Sequence, residues 1–220
     1  MKFNQYLIEV FNPKFPRTYH FPWSYEVHSD DKTHDDISFL LNKPLVITIK
    51  MDGSNVGISF DILSSRSGDK PDHKSFDLLK QRYPVIKYDI PKNMIIYGEW
   101  LYAVHSIEYE TLDDYLTVFA IKEGNKWLSW NSVEEWSALL DLKNVPVVKK
   151  NIKFKTIEEM EEITKKLADR VIKSGHEGIV VRLSSSFTDY TKSTAKFVRK
   201  GHVQTDKHWT KKEIKVNKLK

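Results

Sequence analysis

The sequence predicts an α+β fold, and three observations carry that expectation. Two runs rich in β-branched residues, 44–50 and 55–62, flank Asp52-Gly53, a pair that suits a tight turn between neighbouring strands. Two stretches of helical character each contain a hydroxyl residue three places before a glutamate, Ser132 before Glu135 and Thr156 before Glu159, which is the spacing of a capping box. Between and after them lie strand-like apolar segments at 94–102, 115–121, 178–183 and 195–199, so helices and strands are mixed along the chain.

Taken in order, Pro-Leu-Val-Ile-Thr-Ile-Lys at 44–50 and Asn-Val-Gly-Ile-Ser-Phe-Asp-Ile at 55–62 predict a β-hairpin with Lys50 at its mouth. Residues 73–83 are expected to be helical. Met-Ile-Ile-Tyr-Gly-Glu-Trp-Leu-Tyr at 94–102 and Tyr-Leu-Thr-Val-Phe-Ala-Ile at 115–121 predict strands, because β-branched and aromatic side chains pack well on a pleated surface. Helices follow over 132–142 and 156–173, the second stopped by Gly175, since glycine supplies the left-handed conformation that ends many helices. Strands 178–183 and 195–199 complete the pattern. No repeat, low-complexity block or Gly/Ser linker divides the chain, so one domain is expected.

Composition narrows the chemistry. A chain of 220 residues with 40% hydrophobic and 12% aromatic content can bury a full core. Without a cysteine, it has no disulfides, thiolate metal sites or cysteine nucleophile, which leaves Lys, Ser, Thr, His and carboxylates for covalent work. No apolar run approaches the ~20 residues of a membrane helix, and Met1-Lys2-Phe3-Asn4-Gln5 is too polar to open a signal peptide. A cytoplasmic protein with no membrane partner is the expectation. The net charge of +5 is concentrated at the end, where residues 196–220 hold nine Lys or Arg against Asp206 and Glu213. Such a basic tail suits phosphate contacts, although charge runs are commonly just solvated.

The residues that can do chemistry are spread over six fragments. Lys50-Met51-Asp52-Gly53-Ser54-Asn55 offers an amine beside a turn. An amine that attacks phosphorus must lose its proton, so its pKa of ~10.4 has to fall through desolvation or nearby cations. Gly53 admits close backbone approach, and Ser54 and Asn55 offer short hydrogen-bonding groups. Arg66, in Ser-Arg-Ser-Gly, can fork onto a phosphate or sugar. Glu99, in Tyr-Gly-Glu-Trp, and Glu177, in Glu-Gly-Ile-Val-Val-Arg, are carboxylates in apolar strands and need a hydroxyl, a cation or a metal as partner. Phe119 can stack on a purine, and Lys196, Arg199 and Lys200 bring cations to the same place.

These fragments, in this order across residues 50–200, resemble the nucleotidyltransferase motifs of the polynucleotide ligase and mRNA-capping-enzyme superfamily. The RNA ligase branch is the closest in style, through Asn55 after Gly-Ser, the Tyr-Gly-Glu-Trp strand, the Val-Phe strand and Glu-Gly-Ile-Val-Val-Arg. Pro16-Arg17-Thr18-Tyr19-His20-Phe21-Pro22-Trp23-Ser24 also resembles a segment that precedes the nucleophile in some small bacterial and phage RNA ligases. The resemblance implies an α+β nucleotidyltransferase domain of the ATP-grasp-like ligase adenylylation kind, with twisted, mainly antiparallel sheets and flanking helices. It would occupy residues 44–200, with 1–43 packed against it and 201–220 a basic tail in place of an OB domain.

By the same resemblance, Lys50 would carry AMP, Glu99 would bond the ribose and Phe119 would stack on adenine. Glu177 would bind the divalent metal, Mg²⁺ with Mn²⁺ as substitute, and Lys196 would hold the α-phosphate. Asp52, Gly53, Asn55 and Arg66 would contact the nucleotide. The family places a second cation two residues after the first, but position 198 is Val, so Arg199 or Lys200 is expected in that role. ATP is the expected cofactor, and RNA ends, including nicked duplex, the expected partners of a monomer. A DNA ligase or a capping guanylyltransferase shares the lysine chemistry, and a non-catalytic RNA-binding module would share the basic tail.

Two further features stand outside these fragments. His28, Asp30, Asp31, His34, Asp35 and Asp36 have the composition of metal ligands, but their polar setting reads as a solvated loop or helix start. Trp209, Lys211, Lys212 and Lys215 would clamp nucleic acid, so loss of 210–220 should weaken sealing more than self-adenylylation. His202 and His208 read as surface or RNA-facing residues.

Overall fold

A computed structural model describes residues 14–25, 27, 31–201 and 213–220. His28, Asp30, His202, His208, Trp209, Lys211 and Lys212 lie outside the described residues. Ten strands and three α-helices are described: β1 (Leu45–Lys50), β2 (Ser54–Ser59), β3 (Leu63–Ser65), α1 (Asp77–Ile86), β4 (Met94–Trp100), β5 (Leu116–Glu123), β6 (Lys126–Trp127), α2 (Trp130–Leu139), β7 (Lys143–Asn144), β8 (Val147–Ile152), α3 (Ile157–Lys173), β9 (Gly178–Leu183) and β10 (Thr194–Val198). They form an antiparallel sheet in the order β10-β9-β1-β8 and a second sheet β3-β2-β4-β5-β6, to which β7 adds in parallel beside β5.

The expected hairpin at Asp52-Gly53 is not formed. β1 pairs with β8 and β9, while β2 pairs with β3 and β4, so residues 51–53 carry the chain from one sheet to the other. The Asp52 carboxylate is the physical reason. It accepts from the Ser106 and Ile107 amides and the Ser106 hydroxyl, each at 2.8 Å, and this anchors the turn to the far loop rather than closing it on itself. Gly53 is needed there because a Cβ would lie 2.6 Å from the Trp100 carbonyl oxygen.

Most of the strand expectations hold within a residue or two, and the exceptions have local causes. The strand expected over 55–62 ends at Ser59, where Ile62 N–H donates to Ser59 Oγ in the turn that leads into β3. The second helix begins at Trp130, capped by Ser129, whose oxygen accepts from Ser132 N–H; Ser132 is inside the helix, not its cap. Thr156 does cap α3, accepting from Glu159 N–H at 3.2 Å. β8 was not anticipated, since Val-Val-Lys-Lys-Asn-Ile is an edge strand with largely exposed polar residues and no clean alternation.

β4 explains why its sequence is almost continuously apolar. Ile96 and Trp100 enter a core with Val56, Ile58, Leu79 and Val133, whereas Ile95 and Tyr97 enter a second core with Ile47, Phe154, Ile179 and Phe197. Alternate residues thus bury opposite faces of the sheet. α3 lays Met160, Leu167, Ala168 and Val171 into the second core, a spacing of one helical face. Truncating Leu167 there costs about 2–5 kcal/mol by the usual rule for buried leucines. Phe15 joins this core against Tyr97, Phe119, Trp127 and Tyr190, with ring centroids 5.0–5.7 Å apart. Among the described residues no helix is long and apolar enough to cross a membrane.

Candidate active site

Where the two sheets diverge, a cavity of about 370 Å³ opens, lined by Lys50, Gly53, Asn55, Arg66, Glu99, Phe119, Glu177 and Lys196. Lys50 reaches it because it is the last residue of β1, paired with Gly178 of β9. Gly178 allows this close packing, since a Cβ there would lie 2.0 Å from the Phe197 carbonyl oxygen. Glu177, one residue earlier, accepts a hydrogen bond from Lys50 Nζ at 2.6 Å with only 5% of its side chain exposed.

Strand parity brings Glu99 to the same place. It shares a face of β4 with Ile95 and Tyr97, sits opposite Asn55 of β2, and accepts from Gly53 N–H at 3.1 Å. Burial pushes the Glu99 carboxyl up to about 7, against the pull of Lys50 and with help from Glu177 and Asp52. Asn55 Oδ1 is buried without a hydrogen-bond partner among the described residues, an acceptor available to a ligand hydroxyl or amine.

Lys50 departs from expectation. Burial favours its neutral form, but Glu177, Glu99 and Asp52 together outweigh burial and hold the ammonium above its ordinary pKa. The resting amine is therefore a charged partner of carboxylates rather than a free nucleophile.

Phe119 owes its position to a β-bulge. Tyr97 pairs with Ala120 but Gly98 pairs with Val118, so Phe119 is the extra residue and its half-buried ring turns to the cavity. A bulge re-aims one side chain out of the strand's alternation. Arg66 lies just beyond β3, and its carbonyl oxygen accepts from Phe15 N–H. Lys196, on β10, enters from the opposite side, bonded to Asp31 Oδ1 at 3.0 Å.

Two expected site residues do not line the cavity. Asp52 spends its carboxylate on the 106–107 loop, as described above, and its N–H donates to the Tyr109 hydroxyl at 2.9 Å. Arg199 donates to Ser106 Oγ at 3.3 Å, while its own amide donates to the Glu177 carbonyl oxygen at 2.9 Å. Both brace the turn that carries Lys50.

Other cavity residues escaped the sequence reading. Arg182 is 4% exposed and lines the cavity, where it donates to the carbonyl oxygens of Leu128, Leu183 and Phe119. Burial lowers its pKa to about 10. The signal was the arginine ending Glu-Gly-Ile-Val-Val-Arg. Asp31 and His34 correct the view of 28–36 as a solvated loop, because Asp31 lines the cavity and the 7%-exposed His34 bonds the Thr194 carbonyl oxygen at 2.9 Å. Lys215, expected to clamp nucleic acid, pairs with Glu108.

A divalent cation fits this site in one form only. Among the described residues no three His, Cys, Asp or Glu are grouped as an all-protein metal cage. Glu99 and Glu177 nevertheless bring two carboxylates to the same cavity, Glu99 raised by burial first and by Glu177 to a lesser degree. That donor set suits Mg²⁺, which takes one or two carboxylates and completes its shell with phosphate oxygens and water.

Comparison with known proteins accords with this geometry. Solved structures share the fold, and three of them illustrate it. An archaeal ATP-dependent RNA ligase, form 1, superposes with a TM-score of 0.57 at 16% identity, covering 84% of this chain and 48% of that one. A putative ATP-dependent DNA ligase from Aquifex aeolicus gives 0.55 at 18%, covering 84% and 49%. The Naegleria gruberi RNA ligase with PPi gives 0.50 at 14%, covering 88% and 61%. The fold is thus that of the nucleotidyltransferase domain of polynucleotide ligases. Residues 43–198 match the family described as RNA ligase, and the chain belongs to that family. It spans about half the length of the first two structures. No curated protein matches it.

Proposed function

We propose that the chain is an ATP-dependent RNA ligase that joins 5′-phosphate and 3′-hydroxyl ends through a lysyl-AMP intermediate. One observation carries this reading: an amine, Lys50, hydrogen-bonded to a buried carboxylate, Glu177, inside a cavity that also holds Glu99, Phe119 and a second amine. A binding module has no use for a nucleophile paired in this way.

In the first transfer Lys50 Nζ gives up a proton, for which Glu177 is the adjacent acceptor, and attacks the α-phosphorus of ATP. A P–N bond forms, the α–β phosphoanhydride breaks and pyrophosphate leaves. In the second, a 5′-phosphate oxygen of the RNA end attacks the same phosphorus. The P–N bond breaks, a P–O–P linkage forms and Lys50 takes back a proton. In the third, the 3′-hydroxyl loses its proton and attacks the 5′-phosphorus, forming the phosphodiester and releasing AMP. Lys196 and Arg66 hold phosphate charge through these steps, which are chiefly a matter of positioning and electrostatics. Glu99 bonds the ribose and Phe119 covers the adenine. Glu177, with Glu99 beside it, would hold Mg²⁺, which would neutralise phosphate charge and favour the neutral form of the Lys50 amine.

Family membership, rather than fold, favours RNA, because a putative DNA ligase superposes about as well as an RNA ligase. The test is sealing of 5′-phosphate and 3′-hydroxyl ends in RNA and in DNA, as nicked duplex and as single strands, with ATP and Mg²⁺. Sealing of RNA ends is expected. Sealing confined to DNA ends would reassign the substrate.

A further inference from the structure

Lys196 is not held by the sheet that carries it alone. The segment ahead of β1 runs beside β10: Phe21 N–H donates to the Lys196 carbonyl oxygen, and Lys196 N–H donates to the Tyr19 carbonyl oxygen, both at 2.9 Å. His20 therefore sits directly beside Lys196, and it is completely buried. Its Nδ1 meets Ser24 Oγ at 3.0 Å and its Nε2 lies 3.2 Å from Asp31 Oδ1. The same Asp31 oxygen accepts from Lys196 Nζ at 3.0 Å. Ser24 Oγ in turn accepts from Val198 N–H at 3.2 Å, so the Nδ1 side of the histidine is tied to β10. Asp31 and Lys196 both line the nucleotide cavity.

We propose that Asp31, which lies beside the buried His20, is a positioning residue that aims the Lys196 ammonium into the cavity to meet a nucleotide phosphate. This deepens the ligase reading and rests on it for the identity of the phosphate. Asp31 lies outside every fragment that carries the family resemblance, and His20 lies in the segment 16–24, to which that resemblance gives no role.

The charges around Lys196 show why a carboxylate is needed. Burial works against its charged form, and so does the neighbouring Lys50, whereas Asp31 and Glu177 favour it. His34 is occupied with the Thr194 carbonyl oxygen on the same strand. Glu177 is already bonded to Lys50, and among the described residues Asp31 is the carboxylate hydrogen-bonded to Lys196. An ammonium that lost its proton on entering this pocket would not neutralise a phosphate.

The experiment titrates lysine side chains by ¹³C NMR in the wild-type chain, Asp31→Asn and Asp31→Glu, with Lys196→Arg to assign the resonance. Self-adenylylation is followed over the same pH range. Asp31→Asn should lower the Lys196 titration by about one to three pH units, the effect of removing an opposite charge in contact, and Asp31→Glu should restore it. The alkaline limb of self-adenylylation should move down with it. A loss of packing alone would lower activity at every pH and leave that limb in place. An unshifted Lys196 titration, or a shifted titration with an unmoved limb, overturns the proposal. A wild-type chain that forms no adenylate while Lys196 titrates as expected refutes the ligase reading and leaves the Asp31 contact standing.

Discussion

Lys50 and Glu177 are 2.6 Å apart, and that distance fixes what each can do alone. Replacing Glu177 by Gln removes both the proton acceptor and a metal ligand. Adenylate formation should fall on the order of 10²-fold or more, the usual contribution of a positioned base, as measured by single-turnover labelling. Glu99 makes a separate prediction. Its carboxyl is raised from 4.5 to about 7 by burial, so the folded state favours its protonated form. That contribution is fully present below pH 4.5 and is lost as pH rises through 7. Glu99→Gln should therefore melt above the wild-type chain at pH 8, with the gap closing toward pH 4.5. An equal gap at both pH values would contradict the assignment. The residues that bear the chemistry were legible because short, spaced fragments encode them. The role of Asp31 was not, because it lies in a contact with Lys196 across 165 residues of chain.

At the scale of elements, the strands were legible from β-branched runs and α3 from its Thr156 cap, whereas sheet membership was not. Period-two alternation says which residues share a face but not which neighbour a strand takes, and a misplaced hairpin was the result. The Phe119 bulge was equally invisible, since one extra residue in β5 is defined only against β4. Arg182 binds these elements together, donating from β9 to the carbonyl oxygens of Phe119 on β5 and Leu128 after β6. Lysine cannot reproduce that fork. Arg182→Lys should cost about 1–3 kcal/mol in denaturant unfolding, the penalty for stranding buried carbonyls. A change within error would mean that the guanidinium holds nothing in place.

Over the whole molecule, the two sheets meet at residues 51–53, and the C-terminal segment braces that crossing from outside. Asn217 is 1% exposed. It donates to the Leu101 and Ala103 carbonyl oxygens and accepts from Tyr109 N–H, and the Tyr109 hydroxyl accepts from Asp52 N–H. The ion pairs Lys218–Glu110 and Lys220–Asp113 are exposed and add little. Removing 213–220 should therefore lower self-adenylylation along with sealing, and Asn217→Ala should lower the melting temperature. Loss of sealing alone would return the segment to a purely RNA-binding role.

The central claim is that Lys50 carries AMP. The measurement that bears on it most directly is incubation with α-labelled ATP and Mg²⁺, followed by denaturing electrophoresis and mass mapping of the labelled peptide, with Lys50→Ala alongside. The account predicts AMP on Lys50 and none on the variant. Equal labelling of Lys50→Ala, label on another residue, or label from GTP alone would contradict it.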